Sequence, residues 1–184
     1  MGVAQIAIFR LADCCARIQE DMSGYYNTAA IEKVPQIEFI FRWLRRRNIS
    51  ICLISDFNRA DTEQILSRLG WQPDQDQSLI DAIIIKSKRT AGEILTEVCN
   101  LFGLADCQKV ISLFDKVELL KAAWQHNCLL SIGLNYGSTT PRELSRVEQH
   151  ILLDSIIELP NYLTRILTLS DMPQNKPLRV RQSL

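Results

Sequence analysis

The chain has 184 residues, of which 47% are hydrophobic, and its 21 Lys and Arg balance 21 Asp and Glu to a formal net charge of zero. That profile belongs to one compact soluble domain and excludes collagen-like, mucin-like and wholly disordered chains. With no global field, attraction to nucleic acid or to an anionic membrane would need a local patch, so neither is an expected partner.

No apolar run reaches the roughly 18 residues of a membrane span, and Arg10 interrupts the first apolar stretch early, so neither a span nor a signal peptide is expected. The six cysteines, Cys14, Cys15, Cys52, Cys99, Cys107 and Cys128, include no C-x-x-C pair. A chain of this length buries a core without staples, so the thiols are expected reduced, several of them in the core of a cytoplasmic protein. Cys14 and Cys15 cannot be bridged to each other without distorting the chain. The two histidines and scattered thiols offer no zinc-ligand spacing.

Val3 to Phe9 is apolar on both faces, the pattern of a strand buried in a parallel sheet. Arg17 to Lys33 has room for a short helix and a loop. Gln36 to Arg47 then shows helical periodicity and closes on Arg45-Arg46-Arg47, cations that complement a helix dipole rather than mark a nucleic-acid surface. Ser50 to Ile54 is the next strand. The helix Arg59 to Leu69 follows, with Asn58 at its cap, Asp61 in its first turn and Gly70 behind it. The alternation continues through strand Ala82 to Lys86, helix Ala91 to Phe102, strand Val110 to Leu113 and helix Val117 to Gln125. It ends with strand Cys128 to Gly133, helix Pro141 to Gln149 behind a capping Thr140, strand Ile151 to Leu153 and helix Glu158 to Leu169. From Ser170 a mildly basic stretch with two prolines has no apolar periodicity. Residues 1–169 therefore read as one domain and 170–184 as a flexible tail.

Strand–helix alternation predicts a doubly wound, Rossmann-like α/β fold, a central and mainly parallel sheet of roughly five to six strands flanked by helices. Such sheets bind ligands outside the carboxyl ends of their strands. The segments that fall there are Arg10 to Cys15, Ser55 to Asn58, Lys86 to Arg89, Phe114 to Lys116 and Asn135 to Thr140.

Those segments carry a resemblance. Ile-Ala-Ile-Phe-Arg-Leu-Ala-Asp-Cys-Cys closes the first strand, and Ile-Cys-Leu-Ile-Ser-Asp-Phe-Asn-Arg followed by Ile-Leu-Ser-Arg-Leu-Gly-Trp spans the next strand and helix. Leu134-Asn135-Tyr136-Gly137, Pro141-Arg142-Glu143-Leu144 and Asp154-Ser155-Ile156-Ile157-Glu158-Leu159-Pro160 complete the series. In this order they resemble the haloacid dehalogenase superfamily of phosphotransferases, and within it the phosphonatase-like branch, from about residue 3 to residue 163. The resemblance implies a nucleophilic aspartate after the first strand. It also implies Mg²⁺ held by that carboxylate, by the carbonyl two residues on and by acidic residues after a later strand, because a carboxylate attacking a phosphoryl group needs a cation to offset repulsion.

The motif positions depart from that pattern. Arg10 stands at the nucleophile, and a guanidinium is always protonated and offers no lone pair to phosphorus or metal. Ala12 stands where most of the superfamily has an acid/base aspartate and the phosphonatase-like branch has alanine. Asp13 and Cys14 replace the glycine and threonine of the phosphate-contacting turn. Aligning Glu118-Leu119-Leu120 with the second acidic position of the fourth motif puts Phe114 on the first, and a slip of one residue recovers Asp115. Ser55 keeps the phosphate-binding hydroxyl, and Lys88 or Arg89 fills the place of the phosphate-holding cation. The cap is missing as well, since about 20 residues separate Cys15 from Gln36, against the roughly 50 or more that a bundle of four or five helices would use.

Arg10 has two open readings: an internal ion pair with Asp56, Asp13 or Asp115 that replaces the metal's charge, or an anion pocket shared with Ser55 and Lys88 or Arg89. A Cys14 or Cys15 nucleophile lacks a base, because neither His126 nor His150 lies at a strand end. Trp43, Trp71 and Trp124 read as packing residues. The expectation is a catalytically degenerate, capless interaction or regulatory module without a cofactor, whose partner is a protein or a second copy of the chain, with phosphate or another anion as a candidate ligand. The alternatives are a Mg²⁺-dependent phosphatase using Asp13, Asp56 or Asp115 in shifted geometry, and a phosphate sensor built on Arg10, Ser55 and Arg89.

Overall fold

The computed structural model describes residues 4–18, 30–73 and 78–169. Its strands and helices in the first half are β1 (Ile6–Arg10), β2 (Ala16–Ile18), β3 (Ile31–Lys33), α1 (Ile37–Arg45), β4 (Ser50–Ser55) and α2 (Arg59–Leu69). The second half holds β5 (Ala82–Ile85), α3 (Ala91–Leu101), β6 (Val110–Phe114), α4 (Val117–Gln125), β7 (Leu130–Leu134), α5 (Pro141–Leu144), β8 (Ile151–Leu153) and, after a 3₁₀ turn at Ile156–Glu158, α6 (Leu159–Leu169). Six strands form one sheet in the order β5-β4-β1-β6-β7-β8, every neighbouring pair parallel. The expected α/β fold is the observed one.

The continuous apolar runs follow from burial of the sheet on both faces. Alternate residues of β1 part company: Ala7 and Phe9 join the core under α1, α2 and α6, while Ile6 and Ile8 join the core under α3 and α4. In the first core Phe41 lies edge-on to Phe9 and to Trp71, with ring centroids 5.3 and 5.4 Å apart. The Trp71 indole N–H is satisfied by Glu38 at 3.0 Å. Local punctuation holds the helix starts: Asn58 accepts from Asp61 N at 2.9 Å, and Thr90 with Glu93 and Thr140 with Glu143 form reciprocal capping boxes.

Two elements differ from the sequence reading. Pro141 to Gln149 makes a single helical turn. The Gln149 side-chain amide donates to Leu144 O at 2.9 Å, occupying the carbonyl that further helix would use, and the chain straightens to pair β8 with β7. In the segment expected as a short helix and loop, the described ends pair as the antiparallel strands β2 and β3, which the sequence pattern does not announce, and the middle, residues 19–29, where the helix was expected, lies outside the described range. The tail expected from Ser170 onward also lies outside it. Two of the three arginines at the end of α1 have partners within the chain, Arg45 on Asp81 at 2.7 Å and Arg47 stacked 3.6 Å above Trp43. All six cysteines are free and buried, and among the described residues no helix is long and apolar enough to cross a membrane.

After β1 the chain builds β4 and β5 on one side, then returns to build β6, β7 and β8 on the other. The topological switch therefore falls between β1 and β6, and their carboxyl ends open the crevice where a ligand site belongs.

Candidate functional site

Arg10 is the last residue of β1 and is 2% exposed. Its Nε donates to Asp56 Oδ2 at 2.5 Å, just beyond the end of the neighbouring β4. Its Nη1 lies 3.0 Å from Asp13 Oδ2, 3.2 Å from the Ala12 carbonyl, and 3.4 and 3.3 Å from Asp115 Oδ1 and Oδ2. One guanidinium thus ties together the ends of β1, β4 and β6. The five-donor fork of arginine suits this convergence, where a lysine would offer only a point charge.

Asp115 is completely buried and accepts from more than Arg10: Cys14 Sγ at 3.2 Å, and both the backbone N–H and the hydroxyl of Ser138 at 3.2 Å. Room for it comes from Gly137, where a Cβ would stand 2.3 Å from Asp115 Cβ and 2.4 Å from its Oδ2. Ser138 in turn accepts from Lys116 Nζ at 2.6 Å. Asp13 sits in a tight turn, φ 62°, across which Cys14 N donates to Ala12 O at 2.7 Å. Aspartate is among the few residues that tolerate this left-handed conformation, so the turn survives without a glycine.

Burial works against the Arg10 charge, but Asp115 and then Asp56 outweigh it and hold the guanidinium protonated above its ordinary range. Burial foremost, and then the Asp115 charge, pushes the Cys14 and Cys15 thiols well up. The same causes that fix the arginine as a cation keep its sulfur neighbours neutral and poorly nucleophilic.

The remaining expected residues fall in different places. Phe114 is fully buried in the second core, so Asp115 is the acid at this strand end. Ala12 is buried and contributes its carbonyl. Ser55 is fully buried and its hydroxyl bonds Thr62 Oγ1 at 2.7 Å. Thr62 itself donates to Asn58 O at 2.7 Å, which leaves the Ser55 proton on Thr62 rather than free for an anion. Lys88 is exposed, and Arg89 turns away to Ile85 O at 2.6 Å and to Glu97. The cation that reaches the crevice is Lys86 instead, 3.6 Å from Asp56 Oδ1 and paired with Glu118. Parallel pairing of Ser55 with Ile85 makes Lys86 the neighbour of Asp56, a register the sequence does not print. Tyr136, whose hydroxyl donates to Cys14 O at 3.2 Å, and Ser138 were likewise not singled out, although both lie in the Asn135 to Thr140 crevice segment. A cleft of about 390 Å³ opens beside the site among Asp13, Arg17, Glu32, Tyr136 and Ser138, two acids against one base.

The donor set does not fit Mg²⁺. That ion requires near-octahedral oxygen ligands at about 2.0–2.1 Å. Here the Ala12 carbonyl and the Asp13 and Asp115 carboxylates are spaced around a guanidinium nitrogen at 3.0–3.4 Å, and Arg10 itself supplies the cation among them. Among the described residues no group of three or more His, Cys, Asp or Glu is arranged to hold a metal ion.

No family profile matches the sequence, and no curated protein matches it. Solved structures do match in fold. A predicted phosphoglycolate phosphatase from Haemophilus somnus superposes with a TM-score of 0.74 at 11% identity, over 89% of this chain and 99% of that one. A D,D-heptose bisphosphate phosphatase from B. bronchiseptica, solved with magnesium and phosphate, gives a TM-score of 0.70 at 13% identity, over 88% of this chain and 99% of that one. A haloacid dehalogenase-like family hydrolase from Streptococcus pneumoniae gives 0.70 at 10% identity, over 87% and 98%. At these identities the likeness is one of fold: this chain has the α/β fold of haloacid dehalogenase-like phosphatases.

Proposed function

We propose that this protein is a catalytically silent, capless member of the haloacid dehalogenase superfamily, of its phosphonatase-like branch, acting in the cytoplasm as an interaction or regulatory module. The observation that carries the reading is the Arg10 guanidinium at the end of β1, hydrogen-bonded to Asp13, Asp56 and Asp115 together. Phosphoryl transfer to an enzyme carboxylate needs a free lone pair aimed at phosphorus and a cation to screen the approaching anion. Arginine supplies no lone pair, and its charge is already spent on the buried Asp115 and the partly exposed Asp13 and Asp56. Ala12 and the motif stretches from Ser50 to Trp71 and Gly133 to Leu163 support the branch, and six free buried thiols support a reducing compartment.

A second reading, a Mg²⁺-dependent phosphatase with shifted acids, draws on the fold likeness and on Asp115 at the β6 end. Against it, Asp13 and Asp56, the two carboxylates still partly open to solvent, both spend oxygens on Arg10. A phosphate sensor finds less support, since Arg10 and Lys86 face Asp13, Asp56, Asp115 and Glu118, an excess of negative charge. The partner surface in this reading is the uncovered strand-end face, engaged by another protein or by a second copy; sedimentation as a monomer at high concentration removes the second copy.

The test is turnover on a broad panel of phosphate esters and acyl phosphates, with and without Mg²⁺, beside Arg10→Ala, an Asp13/Asp56/Asp115→Asn triple variant and an active capless relative. Silence of the wild type beside a working control is the expected result. Metal-dependent turnover lost in the triple variant overturns the reading.

A further inference from the structure

We infer that Cys99 and Cys107 form a site of reversible oxidative modification, at which a hydroperoxide converts two touching thiols into a disulfide that fastens the end of α3 to the start of β6. The site lies at the amino ends of the sheet strands, opposite the Arg10 crevice, and shares no residue with it. It therefore holds whether or not the scaffold is catalytically silent.

Three thiols meet there from three elements: Cys99 near the end of α3, Cys107 ahead of β6 and Cys128 ahead of β7. Local hydrogen bonds pin their backbones, Leu104 N donating to Cys99 O at 2.8 Å, Val110 N to Cys107 O at 2.9 Å and Cys128 N to Ala123 O at 3.0 Å. The Cys99 and Cys107 sulfurs share a hydrogen bond at 3.0 Å, and the Cys128 thiol hydrogen-bonds Cys107 as well. A disulfide is about 2.05 Å long, so an approach of about 1 Å between side chains already in contact closes the bond. Exposure separates these thiols from the rest. Cys14, Cys15 and Cys52 are 0% exposed, whereas Cys99, Cys107 and Cys128 keep 5, 4 and 6%, too little for a bulky thiol reagent but an opening for a molecule the size of hydrogen peroxide.

Burial foremost, and then the hydrogen bond with Cys107, pushes the Cys99 thiol up to about 12. The hydrogen bond with Cys128 and then burial raise Cys107 as well. Both stay protonated and react slowly, so the pair ignores trace oxidant and answers sustained exposure. The chemistry balances in two steps. Cys99 loses its proton and attacks one oxygen of hydrogen peroxide; the O–O bond breaks, sulfur becomes the sulfenic acid, and the other oxygen leaves as hydroxide and takes up that proton as water. The Cys107 sulfur then attacks the Cys99 sulfur, the S–O bond breaks, and the departing hydroxide takes the Cys107 proton as a second water. Two thiols and one peroxide thus give one disulfide and two waters. Because the resolving thiol already touches Cys99, it intercepts the sulfenic acid before further oxidation to sulfinic acid. A dithiol reductant returns both hydrogens and restores the pair.

The experiment exposes the full, reduced chain to hydrogen peroxide, then unfolds it in denaturant with iodoacetamide and weighs it intact, with a non-reducing peptide map and circular dichroism melts alongside. Expected are four alkylated cysteines where the untreated protein carries six, and a cross-linked peptide joining Cys99 to Cys107. Tm should rise by about 4–8 °C on oxidation and return with a dithiol reductant. Cys128→Ser should form the same bond. Cys107→Ser removes the sulfur that both neighbours touch and should keep its remaining cysteines alkylatable under the same exposure; if that variant does not fold, the wild-type map decides alone. The inference is overturned if the native chain keeps six alkylatable thiols, if the cross-link forms only in protein oxidised while unfolded, or if another pair dominates the map. It is equally overturned if Cys99 accumulates as sulfinic or sulfonic acid, or if Tm falls on oxidation.

Discussion

Asp115→Asn isolates the charge at the centre of the site while keeping the side chain's size. Asp115 accepts from Arg10 through both oxygens, from Cys14 and twice from Ser138, with no exposure to water. An amide in its place keeps one acceptor and turns an NH₂ toward groups that are already donating. Breaking a buried ion pair by removing one partner costs about 3–5 kcal/mol, and a hydrogen bond to a charged group contributes about 1.5–3 kcal/mol. The surviving acceptor offsets part of this, and Arg10 retains Asp56 at 2.5 Å and Asp13 at 3.0 Å. A loss of about 3 kcal/mol is therefore expected, or about 6–12 °C in Tm for a chain of this size. The assay is urea unfolding followed by circular dichroism, with Glu63→Gln as control. The Arg59–Glu63 pair is 3.9 Å apart and mostly exposed, so its loss should stay within about 0.5 kcal/mol. If Asp115→Asn costs no more than that control, Asp115 does not hold Arg10 in the way described.

Gly137→Ala places a methyl group 2.3 Å from Asp115 Cβ, on a buried side chain with nowhere to go, and should destabilise by about 1–3 kcal/mol; a neutral result in denaturant unfolding shows that the loop shifts freely. Partial burial lowers the His150 pKa below the usual imidazole range, and its Nδ1 accepts from Ser131 N at 2.9 Å. Because its folded pKa is depressed, its contribution is present above the unfolded pKa of about 6.5 and is lost as pH falls below it. Tm of the wild type should therefore drop more steeply than that of His150→Asn between about pH 7.5 and 5.5, and parallel curves would contradict this. All six thiols are buried, with Cys52 pushed up to about 12 by burial, so a thiol reagent should titrate almost none in the native protein and all six in denaturant; rapid native labelling would refute the placement.

The fold was legible because burial on both faces writes itself into sequence as uninterrupted Val, Ile and Leu runs, and because Asn58, Gly70 and Thr140 punctuate the helices through local hydrogen bonds. Arg10 and Asp115 were legible as strand-end residues, since a charged side chain closing an apolar run marks the crevice. What could not be read was direction and register. Lys86, Lys88 and Arg89 are equivalent as letters, and only the pairing of β5 with β4 sets Lys86 beside Asp56. The rotation of Ser55 toward Thr62 is decided by the start of α2. Pro141 to Gln149 carries a full helical pattern, yet the need to deliver β8 alongside β7 ends the helix after one turn, a tertiary demand that outweighs local propensity. β2 and β3, three residues each, are too short to show a period.

The central claim, that Arg10 has replaced a phosphoryl-accepting carboxylate, is tested most directly by searching for the covalent intermediate. The full chain is incubated with an acyl phosphate and Mg²⁺, quenched in acid and weighed intact, beside an active relative treated identically. The account predicts an unmodified mass for this protein where the relative carries a phosphoryl group. A phosphoryl adduct mapping to Asp13, Asp56 or Asp115 would contradict it and identify the new nucleophile.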